Sequence, residues 1–169
     1  MVLSQKSQYA VRAVFELARR YGSGPVKAAQ IADAQYIPVR FLENILNQLR
    51  QAAIVESVRG KEGGYRLSRA PRDVSVGAVI RVIQGPVSEI ECFGPGATAG
   101  GPSGSGGAGA ASRASSATGA CPLRPGCVLL PVWEKAHRAM MEVYDGTSFQ
   151  DLVDQEIEAN ECHAFDYAI

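Results

Sequence analysis

Apolar residues recur three and four positions apart along much of the first half of the chain, the spacing of one face of an α-helix. Ala10, Val14 and Leu17 set this rhythm between Leu3 and Tyr21. Ser4 is placed to cap that helix and Gly22-Ser23-Gly24-Pro25 to stop it. A second, shorter helix is predicted from Val26 to Ala34, where Ala28, Ala29, Ile31 and Ala32 allow close packing. Tyr36-Ile37-Pro38 is the connection, and Pro38 suits the first turn of a third helix reaching about Ala52. This third helix is the most clearly two-faced. Leu42, Ile45, Leu46 and Leu49 form one apolar stripe, and Arg40, Glu43, Asn44, Asn47 and Gln48 lie opposite.

The period then changes. Ile54 to Val58 alternates as a strand does, Arg59 to Gly64 is a turn with three glycines, and Tyr65 to Leu67 returns. Three short helices followed by a glycine-tipped hairpin predict a winged helix-turn-helix, mainly α with a small β-hairpin wing. In that architecture the third helix enters the major groove of DNA, and the hairpin tip reaches a neighbouring phosphate or the minor groove.

Arg69 to Asp73 reads as a linker. Ser75 caps a fourth helix to about Gln84, with Val76, Val79, Ile80 and Ile83 on one face. Residues 94–120 are almost entirely Gly, Ala and Ser, with Arg113 the only charge. Such a segment cannot bury enough apolar area to offset its chain entropy and is expected to be a disordered loop. A long helix is predicted from Leu130 to about Tyr144, with Trp133, Ala136, His137, Met140, Val143 and Tyr144 on a broad apolar stripe. Thr147 to Gln150 resembles a capping box for a last helix ending near Ala159. The expected organisation is a DNA-binding domain over 1–84, a cysteine-bearing loop over 85–129, the long helix with the C-terminal helix over 130–159, and a frayed tail over 160–169.

Composition narrows the class. At 169 residues and 46% apolar the chain can fold around one core, and no apolar run approaches the roughly 18 residues that cross a bilayer. Lys6, Arg12 and Glu16 interrupt the N-terminal apolar stretches, unlike a signal peptide. The expectation is a soluble, cytoplasmic protein. The net charge of zero hides a division. Residues 1–84 carry 13 Lys/Arg against 6 Asp/Glu, a net +7, and residues 85–169 carry 4 against 11, a net −7. The basic half points to a polyanionic partner.

These residues resemble winged-helix bacterial regulators of the IscR, NsrR and CymR type. The resemblance rests on Leu3 to Val11, Ile37 to Glu43, the wing Ser57-Val-Arg-Gly-Lys-Glu-Gly-Gly-Tyr65, Val76 to Ile80, Glu91-Cys92, and Cys121 to Cys127 ahead of Val132-Trp133. It implies a homodimeric transcription factor in which the helix carrying Trp133 and Met140 crosses its twin. Two reading helices then lie about one DNA turn apart on a near-palindromic operator in double-stranded DNA.

Val39, Arg40, Phe41, Glu43 and Asn44 open the third helix, where base contacts arise. Arg40 suits a guanine edge and Glu43 a cytosine amine. Phe41 is expected to be partly buried. Arg59 and Gly60 match the wing contact that the resemblance implies, with Lys61 and Arg66 as further phosphate candidates. Tyr9, Lys6 and Gln30 are candidates for backbone contact or for packing.

The cysteines Cys92, Cys121, Cys127 and Cys162 all lie beyond the predicted DNA-binding domain. In cluster-binding regulators of this type three cysteines follow the fourth helix. Cys92, Cys121 and Cys127 are therefore expected as ligands of a 2Fe–2S or 4Fe–4S iron–sulfur cluster. The long insertion does not forbid this, since loop closure costs only about 0.6 kcal/mol per doubling of length. Two departures stand out: Val128-Leu129-Leu130 replaces the IscR-like histidine after the third cysteine, and Gln8 replaces the NsrR-like aspartate. A Cys121/Cys127 redox switch, a zinc site, or inert cysteines remain open. So does a winged-helix repressor with no cluster, controlled by a small molecule or protein partner. Cys127 with His137 or His163 has no orienting third group, so an enzyme is not expected.

Overall fold

A computed structural model describes residues 3–60, 62–85 and 127–166. Helix α1 spans Gln5–Arg19, and the Ser4 hydroxyl accepts the Ser7 backbone N–H at 3.1 Å. Helices α2 (Ala28–Gln35) and α3 (Val39–Gln51) follow, then an antiparallel hairpin of β1 (Val55–Val58) and β2 (Gly64–Leu67). Val55 pairs with Leu67 and Val58 with Gly64. Helix α4 is Val76–Gln84, and Ser75 caps it by accepting the Ala78 N–H at 3.2 Å. Helices α5 (Leu130–Gly146) and α6 (Phe149–Asp166) complete the described chain.

The core is the sum of the apolar stripes. Ala10, Ala13, Val14 and Leu17 of α1 meet Ile31 of α2, the four stripe residues of α3, and Val79 of α4. Phe149, the first residue of α6, is completely buried among them. Its N–H donates to the Val74 carbonyl at 3.0 Å, and the Val76 N–H donates to Thr147 at 3.0 Å. The start of α6 is therefore stitched to the approach to α4.

Several boundaries differ from expectation, each for a local reason. Val26 is not helical. It exchanges two 2.8 Å backbone hydrogen bonds with Tyr65, adding a rung to the outer edge of β2. Gly64 permits this approach, because a Cβ there would lie 2.4 Å from the Val26 oxygen. The expected linker contains a single 3₁₀ turn, Pro71–Asp73, with Pro71 buried and packed toward α6. The last helix is capped by Ser148 and Asp151, not by Thr147 and Gln150. The Ser148 N–H donates to Asp151 Oδ2 at 2.8 Å, and the Asp151 N–H donates to Ser148 Oγ at 3.2 Å. The Thr147 hydroxyl instead donates to the Val143 carbonyl at the end of α5. At its other end α6 continues beyond Ala159 to Asp166.

Residues 94–120, Cys92, Cys121 and Lys61 lie outside the described residues. The turns of α5 up to Ala139 belong to a different unit from the elements described above. None of the described residues of α5 is fully buried.

Candidate nucleic-acid interface

The candidate reading surface is built by the burial of one face of α3. Leu42, Ile45, Leu46 and Leu49 are all fully buried. Helical geometry then leaves Val39, Arg40, Glu43, Asn44 and Asn47 exposed on the other side. Asn44 Nδ2 donates to the Arg40 carbonyl at 3.2 Å, and Arg50 donates to Asn47 Oδ1 at 2.9 Å.

Phe41 is 59% exposed, contrary to the expected partial burial. It sits one position before the buried stripe, and its ring meets Tyr9 of α1 in a tilted arrangement, 6.4 Å between centroids. Of the residues placed between backbone contact and packing, each has an internal partner. Tyr9 accepts from Gln5 at 2.9 Å, Lys6 donates to Gln48 of α3 at 2.9 Å, and Gln30 accepts the Lys27 N–H at 3.1 Å.

Arg59 is exposed on the hairpin turn beside Gly60, whose φ of +118° favours glycine. The Gly63 N–H donates to the Gly60 carbonyl at 3.0 Å, and a Cβ on Gly63 would lie 2.4 Å from the Val58 oxygen. Gly60 and Gly63 thus hold a tight tip from which Arg59 projects. Arg66 is ion-paired across the hairpin with Glu56.

Sequence reasoning passed over two residues beside this surface. Tyr36, at the C-terminus of α2, is 87% exposed with φ 50° and ψ 47°, left-handed geometry that a bulky side chain adopts only at a cost. Its N–H bonds back to Ala32 and Asp33, and this turn leads into α3 through buried Ile37 and exposed Pro38. Its signal was a tyrosine where a helix ends just ahead of a proline. Glu16 is the other, buried on α1 with nothing in its spacing to distinguish it from a solvated charge.

Cys127 is half-buried one turn ahead of α5, and its carbonyl accepts the Leu130 N–H at 3.3 Å. His137 lies on α5 and is half-buried. Among the described residues no group of three His, Cys, Asp or Glu is arranged to hold a metal ion, and no helix is long and apolar enough to cross a membrane. At the head of α6, the Ser148 backbone N–H and then its side chain hold the Asp151 carboxyl below the ordinary 3.8 of an aspartate.

A supporting helix, a tight turn, an amphipathic third helix with an open polar face, and a glycine-tipped hairpin define a winged helix-turn-helix fold. The sequence profile described as Rrf2, iron-dependent transcriptional regulator, matches residues 3–155, and the chain belongs to the Rrf2 family. It is 40% identical over 101 residues to the regulator IscR of Aliivibrio salmonicida, covering 60% of each chain. It is 37% identical over 91 residues to CymR of Bacillus subtilis, covering 54% of this chain and 66% of that one. A third relative, an rrf2-like HTH-type regulator of Rhodobacter capsulatus, is 43% identical over 95 residues, covering 54% and 63%. The chain thus spans 60% to 66% of the length of these relatives. Among solved structures, IscR of T. potens superposes with a TM-score of 0.66 at 32% identity, covering 94% of this chain and 90% of that one. CymR of B. subtilis, the global cysteine regulator, gives 0.67 at 27%, covering 92% and 98%.

Proposed function

We propose that the chain works as a homodimer that reads a near-palindromic operator through α3 and the wing, and that Cys92, Cys121 and Cys127 make this binding responsive to iron or redox state. The observation that carries the reading is the division of α3 into a fully buried stripe and an open polar face. On that face Arg40 reads a guanine edge and Glu43 accepts from a cytosine amine, with Val39, Phe41 and Asn44 completing the surface. Arg59, Gly60 and Lys61 place the wing against a phosphate or in the minor groove. Two copies are brought together by the apolar residues of α5, which one chain leaves uncovered.

Three thiolates are a fitting donor set for iron, and Cys127 is held, half-buried, where α5 begins. A bound iron–sulfur cluster supplies coordination that depends on iron supply and oxidation. The chain's part is to draw Cys92 and Cys121 to Cys127. That restrains the head of the helix proposed to pair the two reading domains, and so the spacing of the two α3 helices. A second reading is favoured by Val128, 84% exposed, and Leu129, 53% exposed, which follow Cys127 and offer no fourth ligand. It is a repressor without a cluster, controlled by a small molecule or protein partner.

Anaerobic purification with visible absorption and iron and sulfide analysis, followed by titration against promoter duplexes, separates the two. A coloured, iron-bearing protein whose DNA affinity changes on oxidation supports the sensor. A colourless, iron-free protein with affinity indifferent to Cys→Ser substitution leaves the cluster-free repressor. A monomer that ignores duplexes in every state removes both. Arg59→Ala is expected to weaken binding, and Arg40→Ala to change preference at one base pair by about 1–3 kcal/mol. Unchanged affinity in both rejects this reading surface.

A further inference from the structure

Glu16 of α1 is the one charged side chain buried among the described residues, with 1% of it exposed. A carboxylate is kept away from water only where its charge and lone pairs are met. Oε1 accepts Arg20 Nε at 2.7 Å, and Oε2 accepts Arg19 Nη1 at 3.2 Å. Both arginines are part-exposed and neutralise it from the solvent side. Oε2 also accepts Gln35 Nε2, at 2.9 Å.

Gln35 is the last residue of α2. Arg12, one turn before Glu16 on α1, donates to its backbone carbonyl. Helix α1 therefore grips the side chain and the main chain of the same residue. The next residue is Tyr36 in its left-handed geometry, and after buried Ile37 the chain enters α3 through Pro38. A strained turn persists only where its surroundings over-determine it, and this grip does so. Arg19 also extends the network outward, with Nε 2.7 Å from Glu156 of α6.

We propose that Glu16 is a positioning residue for DNA recognition: through Gln35 it fixes the Tyr36 turn and hence the angle at which α3 leaves α2, and Arg19 ties that setting to α6. The inference rests on α3 being the reading helix. Base contacts are directional and fail on a small misalignment, whereas attraction to phosphates tolerates it. Loosening the grip therefore lowers specificity without lowering non-specific affinity, a signature that simple loss of fold does not give.

The probe is the duplex that the wild-type chain enriches from a randomised pool, compared with a scrambled duplex. Gln35→Ala keeps Glu16 and both arginines but removes the amide. It is expected to lower the ratio of selected to scrambled affinity about fivefold, with scrambled affinity and its salt dependence unchanged. Glu16→Gln is expected to act similarly, the double variant to be no worse than the worse single one, and Glu156→Gln to give a smaller drop of about twofold. An unchanged ratio in Gln35→Ala, or an equal loss on both duplexes, overturns the inference. If Glu16→Gln does not fold, Gln35→Ala and Glu156→Gln decide it. Arg40→Ala keeps the two readings apart. Its silence on the selected duplex would mean that α3 is not the reader, whereas weakening by Arg40→Ala alone, with Gln35→Ala silent, removes only the role of Glu16.

Discussion

Helices α3 and α5 carry the same kind of pattern and meet opposite ends. In α3 the four stripe residues are fully buried against α1 and α4. In α5 Val132 is 57% exposed, Trp133 39% and Val143 63%, and nothing on the helix is buried. Amphipathic spacing says that a helix has a face to cover, and leaves open what covers it. For α3 the cover lies in the same chain. For α5 an apolar face turned to solvent is what an interface with a second copy requires.

The comparison can be broken most sharply at α3. Leu46→Ala leaves a cavity in a fully packed region and is expected to cost about 2–5 kcal/mol in urea unfolding. A cost well under 1 kcal/mol would mean that the stripe is not core. On α5, the proposed pairing of two copies predicts that Trp133→Glu retains native helix content by circular dichroism but sediments as a monomer, because a charge there would disrupt an interface and not a core. A variant that stays dimeric assigns the twofold contact elsewhere.

Two smaller effects sharpen the picture around the reading surface. Gly64→Ala drives a Cβ into the Val26 carbonyl and is expected to destabilise by about 1–3 kcal/mol. Gly60→Ala meets open space and carries only the cost of its positive φ, about 1 kcal/mol. Thermal melts in which the two lose equally would show that the Val26 rung does not constrain the hairpin. The smallest effect is at Asp151. Its carboxyl pKa is depressed on folding, so its contribution is present above about 3.8, the unfolded value, and is lost as pH falls through the lower folded value. Asp151→Asn should therefore flatten a small acid-side fall in the unfolding midpoint, and identical pH profiles would refute the cap's role.

How far the sequence reached varies with the range of the interaction. The α3 stripe, the Ser4 and Ser75 caps and the hairpin were legible because each is set by residues within a turn or two of one another. Val26 was misplaced because its partner, Tyr65, is far along the chain and local spacing carries no trace of it. Phe41 was misjudged because a residue beside a stripe is buried or exposed according to the neighbouring helix, here one that offers only the edge of Tyr9. The exposed polar residues proposed to read DNA were picked out by their position on α3. The arrangement of the cysteines was not legible, since no local pattern says where Cys92 and Cys121 lie relative to Cys127.

Periodicity, caps and glycines alone determined that this chain forms three helices and a hairpin, with a polar face on the third helix. Hydrogen bonds and side-chain repeats of short range encode such things directly. Only the tertiary structure decided that Glu16 is buried and that its carboxylate holds the end of α2, that Phe149 completes the core, and that α5 is left uncovered. Burial is a property of what the rest of the chain brings to a residue, and no window along the sequence contains it.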